Sequence, residues 1–435
     1  MSKSRGFTLI ELMVSLTAGL TVALAVVGLS TEATNVFHEE ARTAAAEMSL
    51  RTAVARMQAD FQRAGFMGTG NIQTDPFIAH APGSPNMVKS GTYNALYRLA
   101  GIHLYYQGSL ATTPLSSTQG VAPPIAPDMV ELSGNYTTTD SYVVLYTQAG
   151  SSVCGGTRLW LATDSPAMWR ILSQTNPSAA LEAAFQPVSG SPFLTRIADN
   201  TGHYQYLPTC VGLAAGVTGS GMAASAWVDL DTSVLTLLTA QATKTNGGSS
   251  GLGVGSLHVN PIQTVRWALR PINISNTGDA PYAELVSPLN DKYELFRTYV
   301  DATGTVTQQP ELVSEYAVDL KIGFSADIGP ATSLARSLTV YGLSDVGNQT
   351  IADDITVDAL AMPQRVRSVH FRLATRSSVS DRSETFSLPA ANAQQATYPT
   401  RYCVLNACTP GQVGWARMRT VTTEVSTQNL AKFFY

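Results

Sequence analysis

One carboxylate is conspicuous for where it falls. Glu11 is the single charge in the run from Phe7 to Leu29, which is otherwise apolar or small. A lone acid in hydrocarbon costs a few kcal/mol unless it finds a partner, so this residue calls for a cation. Lys3 and Arg5 lie before the run, and Glu32, Glu39 and Glu40 follow it. The other groups with chemical potential are Cys154, Cys210, Cys403 and Cys408, all beyond the apolar run. In an exported compartment such cysteines form disulfides. Four allow three pairings, of which Cys154–Cys210 and Cys403–Cys408 are the preferred set. The second pair closes a small loop that is either a simple staple or a partner-facing loop. A four-cysteine zinc site is the rival, but the paired C-x₂₋₄-C spacing is missing.

Catalytic patterns are weak. Gly247-x-Ser249-x-Gly251 has the letters of a nucleophile elbow. That motif needs a strand before it and a helix after it, whereas Lys244-Thr245-Asn246 precedes and Leu252-Gly253-Val254-Gly255 follows. There is no H-E-x-x-H, P-loop or C-x-x-C. The six histidines are scattered, and His370 falls on the wet side of a strand pattern. Asp353-Asp354 is a cation contact or a solvated turn, and Phe433-Phe434-Tyr435 packs on the head or on a partner. These patterns predict a non-enzymatic protein with no cofactor and no metal. Charged residues make up 13% of the 435, about half the ~25% of an average soluble domain, and net charge is −4. That balance suits an exported, surface-displayed protein and argues against nucleic acid as a partner.

The elements that would carry these groups are one long helix and a β-rich head. As a helix, Phe7–Leu29 rises about 35 Å, enough to cross a hydrocarbon core of about 30 Å. The basic residues before it predict a cytoplasmic start and an outward-facing remainder. No proline interrupts 7–64. Two apolar stripes at helical spacing follow the span: Phe37, Ala41, Ala44, Met48, then Leu50, Val54, Met57, Phe61, Ala64. Charges lie between them, among them Glu39, Glu47, Arg51, Arg56, Asp60 and Arg63, and Gly65 and Gly68 are the expected stops. The second half of this helix, about 87 Å long in all, is expected to lay its stripe on the head. Gly19 and Gly28 are weak points along it.

Beyond Gly68 the period changes to two. Strands are predicted at Ser141–Gln148, Trp227–Leu238, Gln263–Arg270, Tyr293–Val300, Ala317–Ser325, Ser368–Arg376 and Arg419–Ser426. In Ala317–Ser325 and Ser368–Arg376 apolar and wet residues alternate, as in an antiparallel sheet lidded by a helix. Residues 70–140 and 175–225, rich in Gly, Pro, Ser, Thr and Ala, read as long loops with short elements. The expected divisions are a leader at 1–6, an apolar helix half at 7–29, an amphipathic half at 30–64, a head with an inserted subdomain at 65–245, a flexible link at 246–256 and a C-terminal β-rich part at 257–435.

Gly6-Phe7-Thr8-Leu9-Ile10-Glu11-Leu12 resembles the processing site of type IV pilins and pseudopilins. A secretory signal cleaved near Ala23-Leu24-Ala25, and a plain single-span anchor, are the competing readings. The resemblance implies a pilin-like α+β fold, cleavage by a prepilin peptidase after Gly6, methylation of the new amine at Phe7, and a role for Glu11 in subunit assembly. The new cationic amine would neutralise the Glu11 of a neighbouring subunit, a pairing much stronger in low dielectric than in water. Tyr293–Phe324, Arg365–Arg376 and Arg419–Ser426 resemble the head of PilW-type minor pilins and, more distantly, of J-type pseudopilins of type II secretion. Phe66–Asn260 matches neither. The implied partners are other minor pilins, the major pilin, a large tip adhesin and the inner membrane. The implied function is that of a minor pilin in a complex that primes pilus assembly, in the inner membrane with a periplasmic head and then at the pilus tip, supporting adhesion and twitching motility. A type II secretion pseudopilin and a surface adhesin on a pilin anchor, the latter suggested by the large unmatched insertion, are the alternatives.

Overall fold

The computed structural model describes residues 8–79, 93–105, 127–219, 224–233, 235, 257–286, 292–307, 309–327, 338–343, 362–380, 401–403 and 415–432. The first described element is helix α1, Leu9–Arg63, capped by Thr8. It stops where Ala64 turns extended (φ −54°, ψ 126°) and Gly65 takes φ 73°. The Gly65 amide then donates to Ser133 O at 2.8 Å. This is one residue short of the expected end, and a helix terminus is soft on that scale.

The head follows as α2 (Asn94–Tyr97), β1 (Ile102–Tyr105), β2 (Met129–Gly134), β3 (Tyr142–Ala149) and β4 (Thr157–Leu161). Next come α3 (Pro166–Leu172), α4 (Pro177–Phe185), β5 (Leu194–Ala198), β6 (Tyr204–Pro208), β7 (Ala215–Thr218), β8 (Ser225–Leu230) and β9 (Leu257–Arg270). The chain continues through β10 (Glu294–Val300), β11 (Glu311–Ser314), β12 (Ala317–Asp327) and β13 (Leu338–Tyr341), and closes with β14 (Val366–Arg376), β15 (Arg401–Cys403) and β16 (Trp415–Ser426). All named pairings are antiparallel, in one sheet of eleven strands and one of five. This is the α+β arrangement that the pilin resemblance implies.

Strand β9 organises the larger sheet. Its C-terminal half lies between β2 and β10. Its N-terminal half lies between β3 and β5. The smaller sheet runs β13-β12-β14-β16-β15. The two sheets are stitched at Asp128, whose amide donates to Leu320 O (2.8 Å) and whose Oδ2 accepts from the Ile322 amide (3.0 Å).

Among the described residues, 70–140 and 175–225 carry short elements joined by loops, as expected, from the four residues of α2 to the nine of α4. Pro177 sits in the first turn of α4 behind the cap Asn176, an arrangement that suits helix starts. The strand β6 is buried at all five positions, so its sequence shows no alternation and no period to read. The predicted strand at Trp227 begins at Ser225 and ends at Leu230, while the one at Gln263 begins six residues earlier, at Leu257.

Four apolar clusters among the described residues support this layout, the smallest being Val318, Ala374, Tyr402 and Met418 on the smaller sheet. The last turns of α1 (Leu50, Ala53, Val54, Met57, Phe61) share one core with Leu132, Val265 and Trp267 of the larger sheet and Ile322, Phe371 and Val425 of the smaller. Phe61 stacks on Phe371 at 5.3 Å between centroids. A second core packs α3 and α4 on β3, β4 and β8, and a third joins β5 and β6 to Leu96 and Leu99. Gly134 must be glycine for α1 to end where it does: a Cβ there would lie 2.7 Å from Arg63 O.

Candidate functional site

The first turn of α1 is built by two side chains. Thr8 Oγ1 accepts from the Glu11 amide (3.4 Å), and Glu11 Oε2 accepts from the Thr8 amide and hydroxyl (3.0 Å each). This capping box satisfies amides that a helix start leaves open, and it places a carboxylate where the helix dipole favours a negative charge. Gly6 and Phe7 lie outside the described residues.

The rest of the apolar half packs on nothing among the described residues. Every residue from Leu9 to Leu29 is exposed, Leu9 at 78% and Leu29 at 73%, and α1 is long and apolar enough to cross a membrane. The few polar side chains are satisfied inside the helix. Ser15 donates to Leu12 O (2.9 Å), Thr17 to Met13 O and Val14 O (3.0 Å each), and Thr21 to Ala18 O (2.9 Å). A segment in lipid must close its own hydrogen bonds in this way. Glu11 alone keeps a charge that such surroundings would leave without a counter-ion.

The amphipathic half divides more sharply than its two stripes suggest. The second stripe, from Leu50 to Ala64, is buried. The first stays on the surface, with Phe37 67% and Met48 73% exposed. The reason is geometric: among the described residues the sheets meet α1 at Ser49, whose hydroxyl lies 2.9 Å from that of Ser314, and at Ala46, whose carbonyl accepts from Thr375 Oγ1 at 3.5 Å.

Asp60, which its neighbours in sequence place among the solvated charges, is buried. Its Oδ2 accepts from Arg297 Nε (2.7 Å) and from Trp267 Nε1 (3.1 Å), and Tyr136 donates its hydroxyl to Asp60 O (3.2 Å). Burial disfavours the Arg297 charge, yet Asp60 beside it raises the guanidinium pKa above its ordinary value. Burial, with Asp60 adding, pushes the Tyr136 phenol up. The signal for Asp60 was its phase: it follows Met57 by three residues and precedes Phe61, on the buried stripe.

Cys154 and Cys210 form a disulfide with Cα atoms 5.7 Å apart and a sequence separation of 56, joining the β3–β4 turn to the end of β6. The Cys403 side chain and Cys408 lie outside the described residues, as do Gly247–Gly251, Asp353-Asp354, the 246–256 link and Phe433–Tyr435. His370 Nε2 pairs with Ser325 Oγ (2.8 Å), an ordinary cross-strand contact. Among the described residues no group of three or more His, Cys, Asp or Glu could hold a metal ion.

Residues 1–27 match the family model of the prokaryotic N-terminal methylation motif. No curated protein and no solved structure gives a significant match to the chain. The matched segment contains Gly6, Phe7, Glu11 and the exposed start of α1. With the exposed apolar rod and the β-rich head, the motif supports a type IV pilin-like protein with a pilin or pseudopilin role in a type IV pilus or type II secretion machine.

Proposed function

We propose that the chain is a PilW-like minor pilin that joins other minor pilins in the complex that primes type IV pilus assembly and stays at the filament tip. A prepilin peptidase cuts after Gly6 and methylates Phe7. The helix waits in the inner membrane with the head in the periplasm, then is extracted and repacked among neighbouring helices. The observation that carries this reading is the free apolar half of α1 with one uncompensated acid in it. Burying that surface in lipid or against other helices is comparable in free energy, so extraction needs only an external motor. The amine of one subunit and Glu11 of the next then neutralise each other. A role at the tip follows from the head, whose two sheets and third core would crowd a repeated lattice. The same head favours adhesion as a further duty, with a large tip adhesin as a partner. A J-like type II secretion pseudopilin is the second reading, because the matched motif serves both machines.

The test replaces Glu11 with Ala in the chromosomal copy. Membrane insertion should persist, while the amount recovered in sheared pili should fall at least tenfold. Full incorporation of Glu11→Ala overturns the reading. Normal piliation with lost exoprotein secretion on deletion of the chain favours the secretion machine.

A further inference from the structure

The helix covers one face of the β1-β2-β9-β10 region, and the opposite face carries a second feature. Alternation sends Ile102, Leu104, Val130, Leu132, Val265 and Trp267 into the core beneath α1. Their neighbours must point the other way. Register sets His103, Glu131 and Arg266 side by side across three strands. A polar face opposite a core is ordinarily open to water. Here Asn94–Arg98 and Thr303-Gly304 border it, leaving a cleft of about 250 Å³. Drug-sized ligands use pockets of about 300–1,000 Å³, so this one suits a single small group.

Its floor is built, not merely solvated. Glu131 accepts from Arg266 Nε (2.7 Å) and from the Tyr105 hydroxyl (3.0 Å). The His103 ring stacks on Tyr105, centroids 4.3 Å apart. His103 is only 7% exposed, yet its Nε2 has no hydrogen-bond partner, a state that buried polar groups rarely keep. Burial first, then Arg98 and Arg266, hold its pKa below the ordinary histidine value against the pull of Glu131, so it is neutral. Arg98 lines the cleft as an exposed side chain with no acidic partner among the described residues. The balance is two guanidinium groups against one carboxylate. A pocket for a bare anion would not hold Glu131. A carboxylate acceptor wants ligand hydroxyls, and an unpaired guanidinium wants an anion.

We infer that this cleft binds one acidic sugar residue, such as a hexuronate or a sialic acid, with its carboxylate on Arg98 and its hydroxyls on Glu131 and His103 Nε2. The site is independent of how α1 is used. The full chain in a sugar-free detergent is titrated with methyl glucuronide, methyl sialoside, methyl glucoside and acetate, by calorimetry or ligand-observed NMR. At least one acidic glycoside should bind about tenfold or more tightly than glucoside and acetate. Arg98→Gln, at an exposed position, should weaken it by about 10- to 100-fold at an unchanged melting temperature. Binding of neither acidic glycoside, equal binding of glucoside, equal binding of acetate, or an Arg98→Gln variant with unaltered affinity would each overturn the inference.

Discussion

Two carboxylates on one helix show how surroundings assign a role. Asp60 finds its cation inside the chain, Arg297 at 2.7 Å. Among the described residues Glu11 finds only Thr8. Removing one member of a buried pair leaves the other charge uncompensated, at a cost of about 3–5 kcal/mol. Asp60→Ala should therefore lower unfolding stability by that order, less whatever Glu311, 3.4 Å from Arg297, makes good. Adding Arg297→Met should recover most of it; chemical denaturation in detergent reads both. Glu294 gives a pH signature. It is 1% exposed, and burial raises its pKa to about 7 against the opposing pull of Lys292, 3.2 Å away. A folded-state pKa above the unfolded value of 4.5 means its contribution is complete below about pH 4.5 and lost as pH rises through 7. Buried Asp319, raised to about 6 by burial, acts with the same sign over a lower window. Melting temperature should fall from pH 5 to pH 7.5, and Glu294→Gln should flatten the part above about pH 6. A flat wild-type profile would contradict both assignments.

At the scale of elements, α1 is one helix with two jobs, and its sequence shows the helix better than the division. Both stripes have the same spacing, so periodicity finds α1 nearly to its last residue but cannot tell which stripe is docked. That depends on where the sheets end, a tertiary fact. Phe61→Ala should cost about 3–5 kcal/mol, whereas Phe37→Ala should stay within about 0.5 kcal/mol in the isolated chain, as denaturation midpoints would show. The strands tell a similar story. β12 and β14 were legible through the alternation of polar and apolar residue types, but the face expected to be wet is not: β12 is buried at all but its last position, its Asp319 and Lys321 being paired with Arg372 and Asp128. β6, buried throughout, was not legible, and neither was the first half of β9, where Asn260 and Pro261 break any pattern. The disulfide between Cys154 and Cys210 joins segments that sequence alone could pair only by preference. Its 56-residue separation corresponds to about 4 kcal/mol of loop-closure entropy.

As a whole molecule the chain joins an apolar rod, exposed from Leu9 to Leu29 among the described residues, to a β-rich head with its own buried core. The motif at the rod's start was visible in the sequence because a charge in a long apolar run is costly enough to need a reason, and residues 1–27 match the N-terminal methylation motif. The cleft on the head was not, because His103, Glu131 and Arg266 are far apart in sequence and only strand register gathers them. The central claim is that processing between Gly6 and Phe7 creates the counter-charge for Glu11. Intact-mass and peptide mass spectrometry of the protein purified from its native membrane tests this most directly. The account predicts a chain that begins at Phe7 and carries one methyl group on its amine. A chain that retains Met1–Gly6, or one cut after Ala25, would contradict it.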